Sequence, residues 1–394
     1  MQKEYSNLLE LSTAERESFG LVHTSREILQ QPQTWRRTYE KVVRSSRLIE
    51  EFLTSAGVGN GGSRPLNVLL VGAGTSDYIG KSVCALLQKK WHCNVQAVPS
   101  TDLLTNMEDH VVGNSDYLWI SFSRSGDSSE GVAVLDEALA TYPEIKHFIV
   151  TCNQNGRMAL FAERPDVFSF VLDDEVNDRG LAMTSSFSNM VIVAQALAHY
   201  RTLATYGSIL DNVATSASRV LPAALSICER LVDEQFSRVC FLGTGPLKGA
   251  AIESGLKVVE LTGGRVVGLT ESFLGLRHGP LSAVDRDTLA VAFLSADRRR
   301  RAFELDLLRE ICDKKLTEKC LVVTPFLLKE GIDSFKNILN LELPAETSDL
   351  YLPPLFVLVG QLLGLFASLR EGLRPDEPSP HGAISRVVSH VAIH

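Results

Sequence analysis

The order strand, glycine turn, helix occurs twice in this chain, and the two occurrences keep step. Leu66–Val71 is a buried-strand pattern that runs into Gly72-Ala-Gly-Thr-Ser76 and then a helical stretch, Tyr78 to Trp91. Arg238–Leu242 runs into Gly243-Thr-Gly245 and a helical stretch from Pro246 to Leu261. Gly72 and Gly243 are 171 residues apart, Ile120 and Val291 also 171, and Val150 and Val322 172. Three anchors at about one offset predict an internal duplication. Further strand patterns at Val95–Val98, Tyr117–Ser121, His147–Thr151 and Val167–Leu172 alternate with helical ones, including Ser188 to Leu203. Short apolar strands between helices predict a parallel sheet covered on both faces, so the fold class is α/β.

This divides the 394 residues into an N-terminal helical arm and linker at 1–64, a first α/β domain at 65–208 and a second, with a C-terminal tail, at 209–394. In the arm, Ser12-Thr-Ala-Glu15 has the form of a capping box, and Gly57-Val-Gly-Asn-Gly-Gly-Ser63 reads as a flexible linker. The run Leu350 to Leu369 is long and apolar enough to span a bilayer. It contains Pro353, Pro354, Gln361 and Ser368 and is flanked by charges, so a buried helix against a sheet is the better reading.

The most informative loop follows the strand pattern at Tyr117–Ser121. It reads Ser123-Arg-Ser-Gly-Asp-Ser-Ser129 and leads into a helical pattern. Backbone N–H groups at a helix start, with hydroxyls around a glycine, make an anion site. An ordinary turn with a serine N-cap has the same composition. The second copy has Ala292-Phe-Leu-Ser-Ala-Asp297 there, without the hydroxyls. It carries instead Glu260 and the segment Glu271-Ser-Phe-Leu-Gly-Leu-Arg-His-Gly-Pro280. One copy thus reads as the holder of an anion and the other as the source of acid–base groups.

The turn Gly72-Ala-Gly-Thr-Ser76 lacks the third glycine of a dinucleotide fingerprint, because position 77 is Asp77. Gly74, Thr75 and Ser76 still offer N–H groups and hydroxyls at a strand end. Thr184-Ser185-Ser186-Phe-Ser188 is a further hydroxyl cluster, an N-cap by itself, or with the others a wall that closes a pocket for a phosphorylated polyol. Glu260 could move a proton between adjacent carbons, and His278, a residue type suited to proton transfer, could serve a sugar ring oxygen. No His, Cys or carboxylate set has metal-site spacing, so no metal or cofactor is expected.

Net charge is −8 and the one basic cluster, Arg298–Arg301, reads as a solvated helix start, which argues against nucleic acid as the partner. Seven cysteines without CxxC spacing read as buried free thiols of a reducing cytoplasm. The first ten residues do not read as a signal peptide. Neither nucleic acid nor membrane is expected as a partner.

From about residue 65 onward the chain resembles a tandem sugar isomerase (SIS) protein. Gly-Ala-Gly-Thr-Ser at 72–76, Ser-Arg-Ser-Gly-Asp-Ser at 123–128, Leu-Lys-Val-Val-Glu at 256–260 and Arg-His-Gly-Pro at 277–280 are similar, in order, to the motifs of the isomerase half of glucosamine-6-phosphate synthase. Ala182-Met-Thr-Ser-Ser-Phe187 and the tail from Asp376 to Ser389 resemble one branch, the galactosamine-6-phosphate deaminases, often named tagatose-6-phosphate ketose/aldose isomerases.

The resemblance implies two tandem SIS domains, each a flavodoxin-like αβα sandwich with a parallel sheet. It implies that Ser123, Arg124, Ser125 and Ser128 hold a phosphate, with Thr75 and Ser76 close by. It implies that Glu260 is the base and that His278 assists ring opening, reaching the site from a neighbouring subunit in a homodimer or higher oligomer. Gly74, Ser185, Ser186, His381 and Arg386 are further candidates for touching the substrate, a hexose or hexosamine phosphate. The chain departs from the synthase in two ways. No glutamine-hydrolysing domain precedes the pair, and the last lysine is Lys336, so a tail lysine cannot form a Schiff base. The function expected is an aldose–ketose isomerase or deaminase that takes galactosamine 6-phosphate to tagatose 6-phosphate and ammonia. A fructosamine-6-phosphate deglycase and a non-catalytic sugar-phosphate sensor are the alternatives.

Overall fold

Among the described residues ten short runs become strands, and the inner strands of each sheet are buried almost throughout. In the first sheet, β1 (Leu66–Gly72), β2 (Asn94–Pro99), β3 (Asp116–Ser123), β4 (Lys146–Thr151) and β5 (Val167–Val171) are all parallel, in the order β2-β1-β3-β4-β5. In the second sheet, β6 (Arg238–Gly243), β7 (Val267–Glu271), β8 (Thr288–Phe293), β9 (Cys320–Thr324) and β10 (Asn337–Asn340) are likewise parallel, in the order β10-β9-β8-β6-β7. Counted within its own sheet, each runs second, first, third, fourth, fifth, the flavodoxin-like order. Ile120 and Val291 lie in the two third strands, and Val150 and Val322 in the two fourth strands, as the offsets require. The computed structural model describes residues 8, 11–59, 64–328, 331–332, 335–379, 381–388 and 391–393. Most of the opening ten residues, part of the glycine linker (60–63) and, in the tail motif, Pro380 and Ser389 lie outside them.

The two glycines that anchor the repeat serve one purpose. A Cβ on Gly72 would stand 2.4 Å from the backbone of Ser76, and one on Gly243 would stand 2.3 Å from the carbonyl of Leu247. Each turn folds back onto the strand it has just left, and only glycine leaves the space.

The chain separates into two units, one for each sheet, and the arm is shared between them. The first sheet's unit comprises Gln33–Asp178, Ser185–Ser208 and Ser385–His394. The second sheet's unit comprises Met1–Pro32, Arg179–Thr184 and Ile209–Ile384. A cut at residue 64 does not describe this. The capping box forms as expected, with Ser12 Oγ accepting from Glu15 N and Glu15 from Ser12 N. Asp376 then accepts from Thr24 N at 2.7 Å, and Glu27 accepts from Arg179 N at 2.5 Å, which tie the early arm to the second sheet's unit. Beyond Gln33 the arm turns to the first unit, where Trp35 Nε1 donates to Ser188 Oγ at 2.8 Å.

In the second unit the long apolar run is the helix Pro353–Arg370, 94% buried. It is the one described helix long and apolar enough to cross a membrane. It packs on the helix Pro246–Leu261 at close range: a Cβ on Gly360 would meet Ser254 Cβ at 2.2 Å, and one on Gly364 would meet the Lys257 carbonyl at 2.9 Å. This contact buries one face of the helix that carries Glu260.

The first unit holds a titratable group in its core. His147, near the start of β4, is 0% exposed, and neither ring nitrogen has a hydrogen-bond partner. Its ring meets the Trp119 ring edge-on at 5.5 Å. Burial pushes its pKa down to about 4. The folded protein therefore binds this proton more weakly than the unfolded chain, whose histidines titrate near 6.5. The stability that His147 contributes is fully present above about pH 6.5 and is lost as pH falls toward 4, a loss of roughly 3 kcal/mol. His147→Phe should flatten this limb when urea unfolding is followed at pH 7 and pH 4.5. Equal losses in variant and native protein would contradict the assignment.

Candidate active site

In a sheet of this order the crevice opens where neighbouring strands lead to opposite sides, between the carboxyl ends of the first and third strands. In the first unit these are β1 and β3, hydrogen-bonded neighbours along their length. Gly72–Ser76 leaves β1 and enters the helix Thr75–Trp91, while Ser123–Ser128 leaves β3 and enters the helix Ser129–Thr141. The topology therefore brings the two hydroxyl-bearing turns together at one crevice. Gly74 is exposed with φ +55°, while Thr75, Ser76, Ser123 and Arg124 are buried, and Ser125 and Ser128 are half-buried.

The loop after β3 keeps hydroxyl protons available. Gly126 N donates to Ser123 Oγ at 3.0 Å, and Asp127 N donates to Ser125 Oγ at 3.2 Å. A hydroxyl that accepts a loop N–H still has its own proton to give to a ligand oxygen. Ser128 sits at the N-cap of the following helix but makes no side-chain cap bond, so it is not spent as an ordinary helix start. The one carboxylate in the loop is turned aside: Asp127 accepts from Arg157 N at 2.8 Å and from Asn153 Nδ2 at 3.2 Å. Asn153 Nδ2 also donates to the Ser125 carbonyl at 2.9 Å. The Ser123 and Ser125 hydroxyls are thus left with protons to give, donors suited to a phosphate.

Arg386 of the tail belongs to this unit. The Arg124 guanidinium donates to the Arg386 carbonyl, and Ser129 N donates to the Val388 carbonyl at 3.3 Å. Arg386 Nε donates to the Asp178 carbonyl at 2.9 Å and Nη2 to Asn177 Oδ1 at 2.8 Å. Ser185 and Ser186 take a different part from the pocket wall expected of them. Both are 0% exposed, and Asp178 accepts from Ser185 N at 3.0 Å and from Ser186 N at 2.9 Å. The start of the helix Ser185–Ala198 is thus capped by a carboxylate of the chain itself. Nothing local in Thr184–Ser188 reveals this partner, which lies in the preceding loop. The structure joins Ser185 and Ser186 to Asp178, whose carbonyl in turn holds Arg386.

In the second unit, Glu260 lies in the last turn of the helix Pro246–Leu261, its side chain 22% exposed. Behind it sits a residue to which the sequence reading assigned no role. Lys257 is fully buried and donates to Glu260 Oε2 at 2.5 Å, with Glu253 Oε1, also fully buried, 3.3 Å away. Burial would lower the Lys257 ammonium, but the two carboxylates outweigh it and hold its pKa above the ordinary lysine range. The spacing Glu253-x3-Lys257-x2-Glu260 on a mostly apolar helix is the signal that could have found it, since residues three and four apart share a helix face. The arrangement presents a partly exposed carboxylate whose geometry is set by a buried cation, as a proton-transferring base needs.

His278 is exposed, in a turn held by Ser272 Oγ accepting from Gly275 N at 3.1 Å and by Arg277 paired with Glu310 at 2.7 Å. Its backbone N donates to the Gly275 carbonyl at 3.0 Å, and Gly279 follows at φ +121°. His381 is also exposed and belongs to this unit. Among the described residues no three His, Cys, Asp or Glu side chains gather as metal ligands. All seven cysteines are free thiols.

No family model matches the chain. A protein of Shewanella sp. (strain ANA-3) named D-galactosamine-6-phosphate deaminase AgaS is 34% identical over 398 residues, covering 100% of this chain and 97% of its own. The solved tagatose-6-phosphate ketose/aldose isomerase from Escherichia coli superposes with a TM-score of 0.85 at 32% identity, covering 94% of this chain and 96% of its own. The C-terminal domain of glucosamine-fructose-6-phosphate aminotransferase from Francisella tularensis superposes with a TM-score of 0.71 at 20% identity, covering 89% and 96%, a likeness of fold alone.

Proposed function

Because the chain belongs to the AgaS family of D-galactosamine-6-phosphate deaminases, we propose that it converts galactosamine 6-phosphate and water to tagatose 6-phosphate and ammonia. Its two sheets are the tandem sugar isomerase fold. The observation that carries the reading is Glu260, a carboxylate held on the buried Lys257 ammonium in a chain so similar to named deaminases along its length.

The chemistry uses no group beyond substrate, water and side chains. The phosphate lies on Ser123, Arg124, Ser125 and Ser128, with Thr75 and Ser76 beside it. His278 moves the ring-opening proton, which frees an aldehyde at C1. Glu260 takes the proton from C2, where the carbonyl next door and the amine stabilise the enolamine that forms. Glu260, its proton having exchanged with water, then protonates C1, which leaves an imine at C2. Water adds to that imine, the C–N bond breaks, and the nitrogen departs as ammonia. Lys336 is the last lysine, so no lysine in the tail takes part.

The enzyme acts in the cytoplasm, a reading supported by its free thiols. It acts as a homodimer, supported by the exposure of His278 together with Leu274, 46% exposed, and Val267, 58% exposed. The test is conversion of galactosamine 6-phosphate in D₂O, followed by NMR. Tagatose 6-phosphate with solvent deuterium at C1 is expected, and an unchanged sugar would reject the reading.

A further inference from the structure

The second sheet has a crevice of its own, and the reaction above leaves it unused. Glu260 is at the far end of its helix from that crevice, roughly 20 Å along the axis at 1.5 Å per residue. The crevice lies between the carboxyl ends of β6 and β8, where Thr244-Gly245 and Leu294–Asp297 leave the sheet. Leu294–Asp297 leads into the helix Arg298–Asp313, as the hydroxyl loop of the first unit leads into its own helix.

The backbone donors of Ser295, Ala296 and Asp297 are each taken by a carboxylate or hydroxyl of the chain. Ala296 N donates to Asp349 Oδ1 at 2.7 Å, and Ser295 Oγ donates to Asp349 Oδ2. Arg300 Nη1 reaches the same Oδ2 at 3.0 Å. Ser295 N donates to Glu304 Oε2 at 2.8 Å, Asp297 N to Ser295 Oγ at 3.0 Å, and Arg300 N to Asp297 Oδ1 at 2.9 Å. Arg301 Nη1 bridges the carbonyls of Ser295 and Ala296 at 2.7 and 2.9 Å. Asp349 is 2% exposed, Glu304 1% and Ser295 0%. The Glu304 carboxyl also meets Thr244, and burial pushes it up to about 7.

An N–H, a hydroxyl and a guanidinium converging on one pair of oxygens is the donor set that an external anion meets at such a strand end. Asp349 comes from far along the chain, in the short turn Asp349–Tyr351 that immediately precedes the helix Pro353–Arg370. We propose that the second crevice is an anion site that the chain fills with the Asp349 carboxylate. It is thereby closed to phosphate, and it admits a small free anion once that carboxylate is removed. The duplication thus keeps two anion sites of one design, one open to ligand and one occupied by a side chain that fastens the core helix to the sheet.

The probes are sodium formate, the carboxylate of Asp349 without its chain, and inorganic phosphate. Formate should raise the melting temperature of Asp349→Ala by about 2–4 °C over an equal concentration of sodium chloride. It should do no more than chloride for the native protein or for Asp349→Asn, whose amide still fills the space. Equal formate effects on all three would overturn the proposal. If Asp349→Ala does not fold, phosphate titration of the native protein by calorimetry decides. At most one phosphate per chain is expected, with that one lost in Ser125→Ala, and a second site that persists in Ser125→Ala would overturn the proposal. Absence of any phosphate binding would count against the substrate site of the first unit and leave the closed second site standing.

Discussion

Replacing Glu260 with glutamine is expected to lower kcat by about 10²–10⁴-fold, the usual worth of a general acid–base group. The amide is nearly isosteric and can still accept from the Lys257 ammonium through its oxygen. It cannot take a proton from carbon. The interaction lost is one made in the transition state, so KM should change little. The phosphate contacts proposed for Ser123, Arg124, Ser125 and Ser128 are on another sheet, so the variant should still be stabilised against heat by galactosamine 6-phosphate. Turnover within a few-fold of the native enzyme would remove Glu260 from the mechanism. Loss of both turnover and ligand-induced stabilisation would mean that the substitution had damaged the fold.

Lys257→Met is expected to cost about 3–5 kcal/mol of stability, the range for removing one partner of a buried ion pair. Methionine fills much the same volume, so the cost is electrostatic. The Glu253 carboxylate is fully buried and would lose its counter-ion. Adding Glu253→Gln in the same chain should recover a substantial part of the loss, because the residue left behind no longer needs a cation. Urea unfolding of the native protein, the single variant and the double variant measures this directly. A single variant as stable as the native protein would show that the ammonium is not holding the two carboxylates. Activity should be lost in both variants even where stability returns, since Glu260 keeps its charge but not the group that orients it.

Much of the architecture was legible because the duplication repeats local signals. The glycines at 72 and 243 mark close returns of the chain onto a strand, and such constraints act within a few residues. The run ending at Leu369 was readable as a buried helix because Pro353, Pro354 and Gln361 argue against lipid; Gln361 is indeed held by protein, donating to the Thr184 carbonyl at 3.2 Å and accepting from Gln31 at 2.6 Å. Partners outside the motif itself were not legible. Asp178 at the start of the helix Ser185–Ala198, and Asp349 in the second crevice, each satisfy backbone donors that any anion could have satisfied. A hydroxyl cluster in the sequence looks the same whether a ligand or a carboxylate of the chain will meet it. The division of the arm was hidden for a related reason. Helical periodicity shows that a face will be buried and is silent on which sheet will bury it.

The central claim, that this chain deaminates an amino-sugar phosphate of galacto configuration, is tested most directly by ammonia release from galactosamine 6-phosphate, with glucosamine 6-phosphate alongside. The account predicts ammonia from the galacto sugar in equal amount to tagatose 6-phosphate, and little from the gluco sugar. Tagatose 6-phosphate isomerised without any release of ammonia from galactosamine 6-phosphate, or ammonia from the gluco sugar alone, would contradict it.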